Sequence, residues 1–389
     1  MPQPTVAVLG CGADIGSNLL LQHDPAQDGF RIAAVITRAS APGDDRASLE
    51  DLTARLQLAD PRAERLVGYD LASVSLLVGD LVVPVHFRDL DTDDLTGLGP
   101  FDVAVIATHR SHIRSPRTRE RVAAIATTVV GVAESADLPL LLPPLGTGPV
   151  GVAGVPTERI PRSGAAVAFG SCQCVGWAAT LRGLIEAARG RGRTELQLAR
   201  VDTDIVHPDT ASSNFGTAGV GARREDARDN LRPGHSQLGL TFERFPGLDA
   251  ANGVSLRTLT QPPGYQLSRF LVHDELPVAD LQEAFRALQQ EPGSGVRCAE
   301  RPIGSRAYAL TSAVATVLTC EPHLRSERIA GTDLWQVTTH AFIHNTIGYS
   351  RSVLDGIGAL LRDETPTVLP PHESPVAAEP NPSHARSAA

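Results

Sequence analysis

Cys172 and His207 are the two residues whose types and settings suit covalent chemistry on a carbonyl. Cys172 stands in Gly170-Ser171-Cys172, after the apolar run 165–169 and before a helix-compatible segment, 175–188. A thiol at a strand-to-helix junction meets free backbone N–H groups and the positive end of the helix dipole, and both favour the thiolate. A thiolate adds to an aldehyde to give a thiohemiacetal, and loss of hydride from that adduct leaves a thioester. The sequence needs an imidazole to take the hydroxyl proton. His207, at the end of a strand-like run over 200–206, is the best placed. Two plainer readings stay open. Cys174 makes a C-x-C pair with Cys172 that would suit zinc, although no second cysteine pair is near and no metal is expected. A purely structural cysteine also satisfies the local sequence.

A second constellation lies at the N-terminus. Gly10, Gly12 and Gly16 follow the apolar run 6–9 and open a helix over 14–22, with a second strand over 31–36. Gly10 would permit the tight turn, and Gly12 would let backbone approach a pyrophosphate at the helix N-terminus, with Asp14 and Ile15 in the same loop. The spacing is one residue longer than the usual fingerprint, so a glycine turn that only fits strand to helix is the alternative. The second strand ends Val35-Ile36-Thr37-Arg38, with no acid at its tip. An acid there binds the ribose 2′-hydroxyl of NAD, whereas Thr37 and Arg38 suit the 2′-phosphate of NADP. NADP is therefore the expected cofactor, with NAD second. Thr108, His109 and His112 follow the buried strand 101–107, at the sheet edge where ligands bind.

These residues need a framework of alternating strands and helices. The chain has 389 residues, which suits two cores rather than one. Strands are expected at 75–78, 81–87, 128–132, 266–273, 313–320 and 334–342, and helices at 49–58, 116–126, 278–290 and 351–362. Residues 209–237 have little periodicity and read as a long loop, and the proline-rich end reads as a disordered tail. The net charge of −9 argues against a general nucleic-acid surface. Apolar runs are too short for a membrane span. Five scattered cysteines and a strand pattern that begins almost at once point to a cytoplasmic protein without a signal peptide.

The order of these motifs resembles the phosphorylating glyceraldehyde-3-phosphate dehydrogenase family from about Thr5 to Arg362. GCGADIG is similar to its glycine loop with one residue added, Tyr69-Asp70 to a Tyr-Asp pair opening its middle strands, and the Arg88 region to its adenine-side segment. Ser171 to Cys174 sits where the family has Ser-Cys-Thr-Thr, so Cys172 matches the nucleophile. HPDTASS matches the segment of the catalytic base, which makes His207 that base. The resemblance also places Ser171, Thr210 and Ser212, and Arg257 in Gly253-Val254-Ser255-Leu256-Arg257, toward a substrate anion. HNTIGYSRSV places Asn345 on the nicotinamide carboxamide and Tyr349 beside the ring. The sequence departs from the family at Gln173, Cys174 and Val175, and keeps only Pro233 and Ser236 of a second phosphate-binding stretch.

The resemblance implies an α/β Rossmann domain plus an α+β catalytic domain with a mixed sheet. The expected division is 1–170 for dinucleotide binding, 171–342 for catalysis, 343–363 for a helix returning to the first domain and 364–389 for the tail. It also implies a homotetramer acting on a small, anionic aldehyde or acyl substrate, with phosphate, water or a thiol as acyl acceptor. Two alternatives belong to other classes. One is a cofactor-binding regulatory or resistance protein, and the other is a cysteine acyltransferase that never moves a hydride.

Overall fold

The computed structural model describes residues 2–59, 66–145, 151–153, 155, 164–208, 232–236, 238–245, 248, 252–258, 263–362, 364 and 367–371. The chain opens with β1 (Thr5–Leu9), α1 (Asp14–Gln22), α2 (Pro25–Asp28), β2 (Arg31–Thr37) and α3 (Asp45–Ala59). Three short strands follow, β3 (Val67–Asp70), β4 (Ser75–Val78) and β5 (Leu81–Phe87), then β6 (Phe101–Ile106), α4 (Arg110–Arg114) and α5 (Pro116–Ala123). Next come β7 (Ala126–Gly131), β8 (Leu140–Leu141), β9 (Ala165–Ala168) and the long helix α6 (Cys172–Gly190). The second half holds β10 (Leu198–Pro208), β11 (Arg232–His235), α7 (Leu238–Phe242), β12 (Asn252–Thr258), β13 (Gly264–Val272) and α8 (Val278–Gln290). It continues through β14 (Val296–Ala299), β15 (Ala315–Leu318), β16 (Leu324–Arg328), β17 (Trp335–Ile343), α9 (Ile347–Leu361) and β18 (Val368–Leu369).

One sheet of ten strands runs in the order β18-β8-β9-β7-β6-β1-β2-β5-β4-β3. Its centre, β9-β7-β6-β1-β2-β5, is parallel. Strands buried on both faces need near-continuous apolar sequence, and Val6 to Leu9 and Val103 to Ile106 supply it. The architecture is a Rossmann-like α/β sheet flanked by helices. From β1 the chain turns first toward β2 and later returns on the other side to β6, so the order reverses between β1 and β6. Gly10 and Thr108 end these two neighbouring strands, at the crevice where such sheets bind ligands.

A second, mixed sheet has the order β11-β12-β10-β13-β17-β15-β14, with β16 on β17. Helix α6 packs on it through Val175, Trp177, Ala178 and neighbours, all buried. Gly176 and Gly183 make room for Ile343 and Phe285, whose side chains lie 2.6 and 2.0 Å from where a Cβ would stand. Helix α9 leaves this sheet and packs on α1. Gln22 donates to Ile347 O (3.0 Å), and Arg351 forms an ion pair with buried Asp28 (2.5 Å). His23 Nε2 accepts from Ile32 N, so its proton lies on Nδ1 and is donated to Asp28 (2.6 Å). The final helix is thus tied to the glycine-loop helix by buried polar bonds.

Two expectations need correction. Residues 232–235, within the stretch read as loop, form β11 and pair with β12, although their side chains lie outside the described set. Residues 209–231 lie outside the described residues, as does the tail from 372. Val368 and Leu369, within the stretch read as tail, are buried and pair with Leu140 and Leu141. Among the described residues, no helix is long and apolar enough to cross a membrane.

Candidate active site

Cys172 is the first residue of α6, and Ser171 is its N-cap, with Oγ accepting from Cys174 N at 3.4 Å. The sulfur therefore sits at the helix start, as the sequence suggested. Its partner is Asn345, whose Nδ2 donates to Cys172 Sγ at 3.0 Å. Asn345 Oδ1 accepts from Gly264 N at 2.9 Å, which fixes the amide's orientation. Burial pushes the Cys172 thiol up. The Asn345 hydrogen bond, the N–H groups of Gln173 and Cys172, and the charge of Arg257 pull it back, and burial wins. The helix start alone therefore does not give a thiolate here.

His207 and Arg257 are register partners at the ends of the parallel strands β10 and β12. Gly264, opposite that end of β10, stands where a Cβ would lie 3.1 Å from Val206 O and 3.2 Å from Asn345 Oδ1. The strand end that carries His207 is thus adjacent to the amide that holds Cys172. The arginine is close enough to act on the sulfur electrostatically. Thr210 and Ser212 lie outside the described residues. His344 is buried, bonded to Thr316 Oγ1 at 2.8 Å and pushed down to about 4 by burial, then by Arg297, so it is neutral near pH 7.

Tyr349, expected beside a cofactor ring, is 2% exposed. Its hydroxyl lies 2.8 Å from Val132 O and 2.7 Å from Gly170 O, where it ties the end of β7 to the nucleophile loop. Below it lies an acid that sequence reading missed. Glu134 is 1% exposed and accepts from Thr241 Oγ1 (2.9 Å), from the Cys174 thiol and from the backbone of Ser171. Burial pushes its carboxyl up to about 7 against those donors and Arg244. A carboxylate directly after the apolar stretch Val129 to Ala133 was the one signal available in the sequence.

At the first sheet's crevice, Gly10 has φ +95, and a Cβ there would lie 2.3 Å from Thr108 Cγ2. Gly16 brings α1 against the turn, with Gly10 O 2.3 Å from a Cβ position. Ala13, the N-cap of α1, supplies no side-chain acceptor for the first-turn N–H groups. Asp14 begins α1 and its carbonyl accepts from Asn18 (2.8 Å), while Ile15 O lies 3.5 Å from Ser350 Oγ of α9. Gly12 faces Arg55 of α3, a cation the sequence did not single out, whose Nη1 lies 3.4 Å from Gly12 O. Thr108 Oγ1 pairs with His112 Nδ1 (2.6 Å), whose Nε2 lies 3.3 Å from Asp91.

The tip of β2 differs from expectation in one respect. Thr37 is buried and Arg38 is 82% exposed, but Asp89, from the end of neighbouring β5, lies 3.7 Å from Arg38 Nε. An acid therefore does stand at the tip, contributed by the adjacent strand rather than by β2. No family model and no curated protein matches the chain.

Proposed function

We propose that this chain is an NAD(P)-dependent aldehyde oxidoreductase of the glyceraldehyde-3-phosphate dehydrogenase type, acting through Cys172. The observation that carries the reading is the meeting of Cys172, Asn345 and the His207–Arg257 strand ends, joined through α9 to the glycine-loop helix. The glycine turn fits a dinucleotide. Gly10 and Gly16 are required by backbone approach, and the start of α1, where the N-cap Ala13 offers no side-chain acceptor, is the helix end that suits a pyrophosphate beside Gly12. Thr37, Arg38 and Thr108 line the same edge.

The steps assigned to the chain's own residues follow from placement. His207 takes the proton of the Cys172 thiol, Sγ adds to the aldehyde carbon, and the same proton passes from His207 to the carbonyl oxygen as the thiohemiacetal forms. His207 then removes that proton as general base, and Arg257 holds an anionic end of the substrate. The dinucleotide supplies the acceptor for the hydride that leaves this carbon as the Cys172 thioester forms. An acyl acceptor (phosphate, water or a thiol) then releases the product and returns the sulfur. Asn345 donates to the sulfur and keeps one N–H for a neighbouring ligand.

The second sheet supports a proposed homotetramer. Gly253 faces α7, whereas Val254 and Leu256, on the opposite face, are 46% and 40% exposed and suit a subunit contact. A second reading, a cofactor-binding protein without turnover, draws on the burial that pushes the Cys172 thiol up. A panel of phosphorylated and neutral aldehydes with NADP+ or NAD+ separates the two. Reduced cofactor forms on the first reading, whereas dinucleotide binding with no reduction across the panel supports the second.

A further inference from the structure

Beneath Cys172 lies a polar cluster that the proposed chemistry does not use. Glu134, just past the end of β7, reaches under the first turn of α6 and accepts from the backbone of Ser171 and from the Cys174 thiol, the residues flanking Cys172. Cys174 is itself fully buried, with Sγ 3.0 Å from Ser171 Oγ and 3.1 Å from Thr241 Oγ1. The second carboxylate oxygen, Glu134 Oε2, is buried with no hydrogen-bond partner among the described residues. An acid in such a place is costly unless it has a task.

We propose that Glu134 is a positioning residue for Cys172, fixing the first turn of α6 through Ser171 and Cys174 and governing by its charge how readily the Cys172 thiol ionises. The neighbours allow this. Arg244, on the segment after α7, is the cation nearest in effect, but its guanidinium is committed to the carbonyls of Ser135 (2.6 Å), Leu138 (2.7 Å) and Pro370 (2.9 Å). Asp137 is engaged by Arg119 at 2.6 Å, and Glu243 lies beside Arg244 in sequence. From α9, Tyr349 faces the cluster and feels the charges of Cys172, Cys174 and Glu134 together. From α6, Cys172 and Cys174 are the titratable groups.

The sign follows from like charges. An ionised Glu134 opposes a second negative charge at Cys172 and raises the pH at which that thiol ionises. A carboxyl held up near neutrality switches this opposition on within the physiological range.

The inference rests on Cys172 as the nucleophile, but its test reads sulfur ionisation and needs no turnover. Thiolate ultraviolet absorbance is titrated in the full chain, with Cys172→Ser in each background subtracted to isolate the one thiol. Glu134→Gln keeps the accepting oxygen and removes the charge, and should lower the Cys172 midpoint by a few tenths of a pH unit. Thr241→Val leaves the carboxyl in place and, because Glu134 is already ionised where the Cys172 thiol titrates, should leave that midpoint where it is. An unchanged midpoint in Glu134→Gln, or an equal shift in Thr241→Val, overturns the proposal. A shifted midpoint in a protein that oxidises no aldehyde would leave this proposal standing and defeat the dehydrogenase reading.

Discussion

Gly12, in the turn after β1, and Gly16, in the first turn of α1, stand four residues apart, yet alanine should act on them in opposite ways. At Gly16 a Cβ would stand 2.3 Å from Gly10 O, 2.9 Å from Gly10 C and 3.0 Å from Cys11 Cα. All three are backbone atoms, so no side chain can swing aside. Overpacking of this kind costs roughly 1–3 kcal/mol, and alanine's better helix propensity returns about 1 kcal/mol. Gly16→Ala should therefore lose up to roughly 2 kcal/mol of stability. At Gly12 the nearest atoms are Arg55 Cδ and Nη1 at 3.7 Å and Leu52 Cδ2 at 3.8 Å, ordinary contact distances. Gly12→Ala should stay within about 0.5 kcal/mol of the wild type. If a pyrophosphate approaches this backbone, the new methyl group takes its place, and affinity should fall at least tenfold, about 1.4 kcal/mol. Urea denaturation measures the first quantity, and calorimetric titration with NADP+ and NAD+ measures the second. A Gly12→Ala protein that binds dinucleotide as well as the wild type would refute the phosphate-loop argument.

If the proposed dinucleotide site is right, cofactor preference should turn on exposed Arg38 and half-buried Asp89, 3.7 Å apart. Asp89→Asn should strengthen NADP+ relative to NAD+ by a fewfold to about tenfold, and Arg38→Ala should weaken it; equal ratios in all three proteins would remove both residues from the adenine-ribose site. Asp28 anchors the α1–α9 contact. Burial pushes its carboxyl up, but the hydrogen bond from His23 and the charge of Arg351 outweigh this and hold it below the ordinary value. A depressed carboxyl contributes stability above its unfolded pKa, near 3.9, and loses that contribution as pH falls through the folded value. Asp28→Asn should therefore be markedly less stable at pH 7, with the gap narrowing below about pH 4; a gap independent of pH would show that charge is not its role.

The periodic parts of the chain were legible before the fold was known. The strand, turn, helix and strand over 6–36 correspond to β1, α1 and β2, because buried parallel strands and an amphipathic helix leave plain apolar patterns. Helix α6 was read from residue 175 but begins at Cys172, since Cys172, Gln173 and Cys174 carry no helical period and the Ser171 cap was the only signal. Helix α9 was read from residue 351 but begins at Ile347. Gly348 resembled a loop residue, yet it is needed because Ala313 O lies 2.0 Å from where a Cβ would stand. Strand β12 escaped notice because Asn252, Gly253, Ser255 and Arg257 make a polar strand, and without it the Arg257–His207 register could not be inferred. Glu134, Arg55 and Asp89 reach their places only through tertiary packing. Local spacing says nothing of an acid one strand away.

The central claim is that Cys172 carries the acyl group. Rapid quenching in acid after mixing the protein with a turnover-competent aldehyde and oxidised cofactor, followed by peptide mass mapping, tests it most directly. The account predicts an acyl mass increment on the peptide containing Cys172, absent in Cys172→Ser and removed by hydroxylamine. In His207→Asn the adduct should form more slowly by roughly 10²- to 10⁴-fold. Reduced cofactor accumulating in Cys172→Ser at the wild-type rate would contradict it.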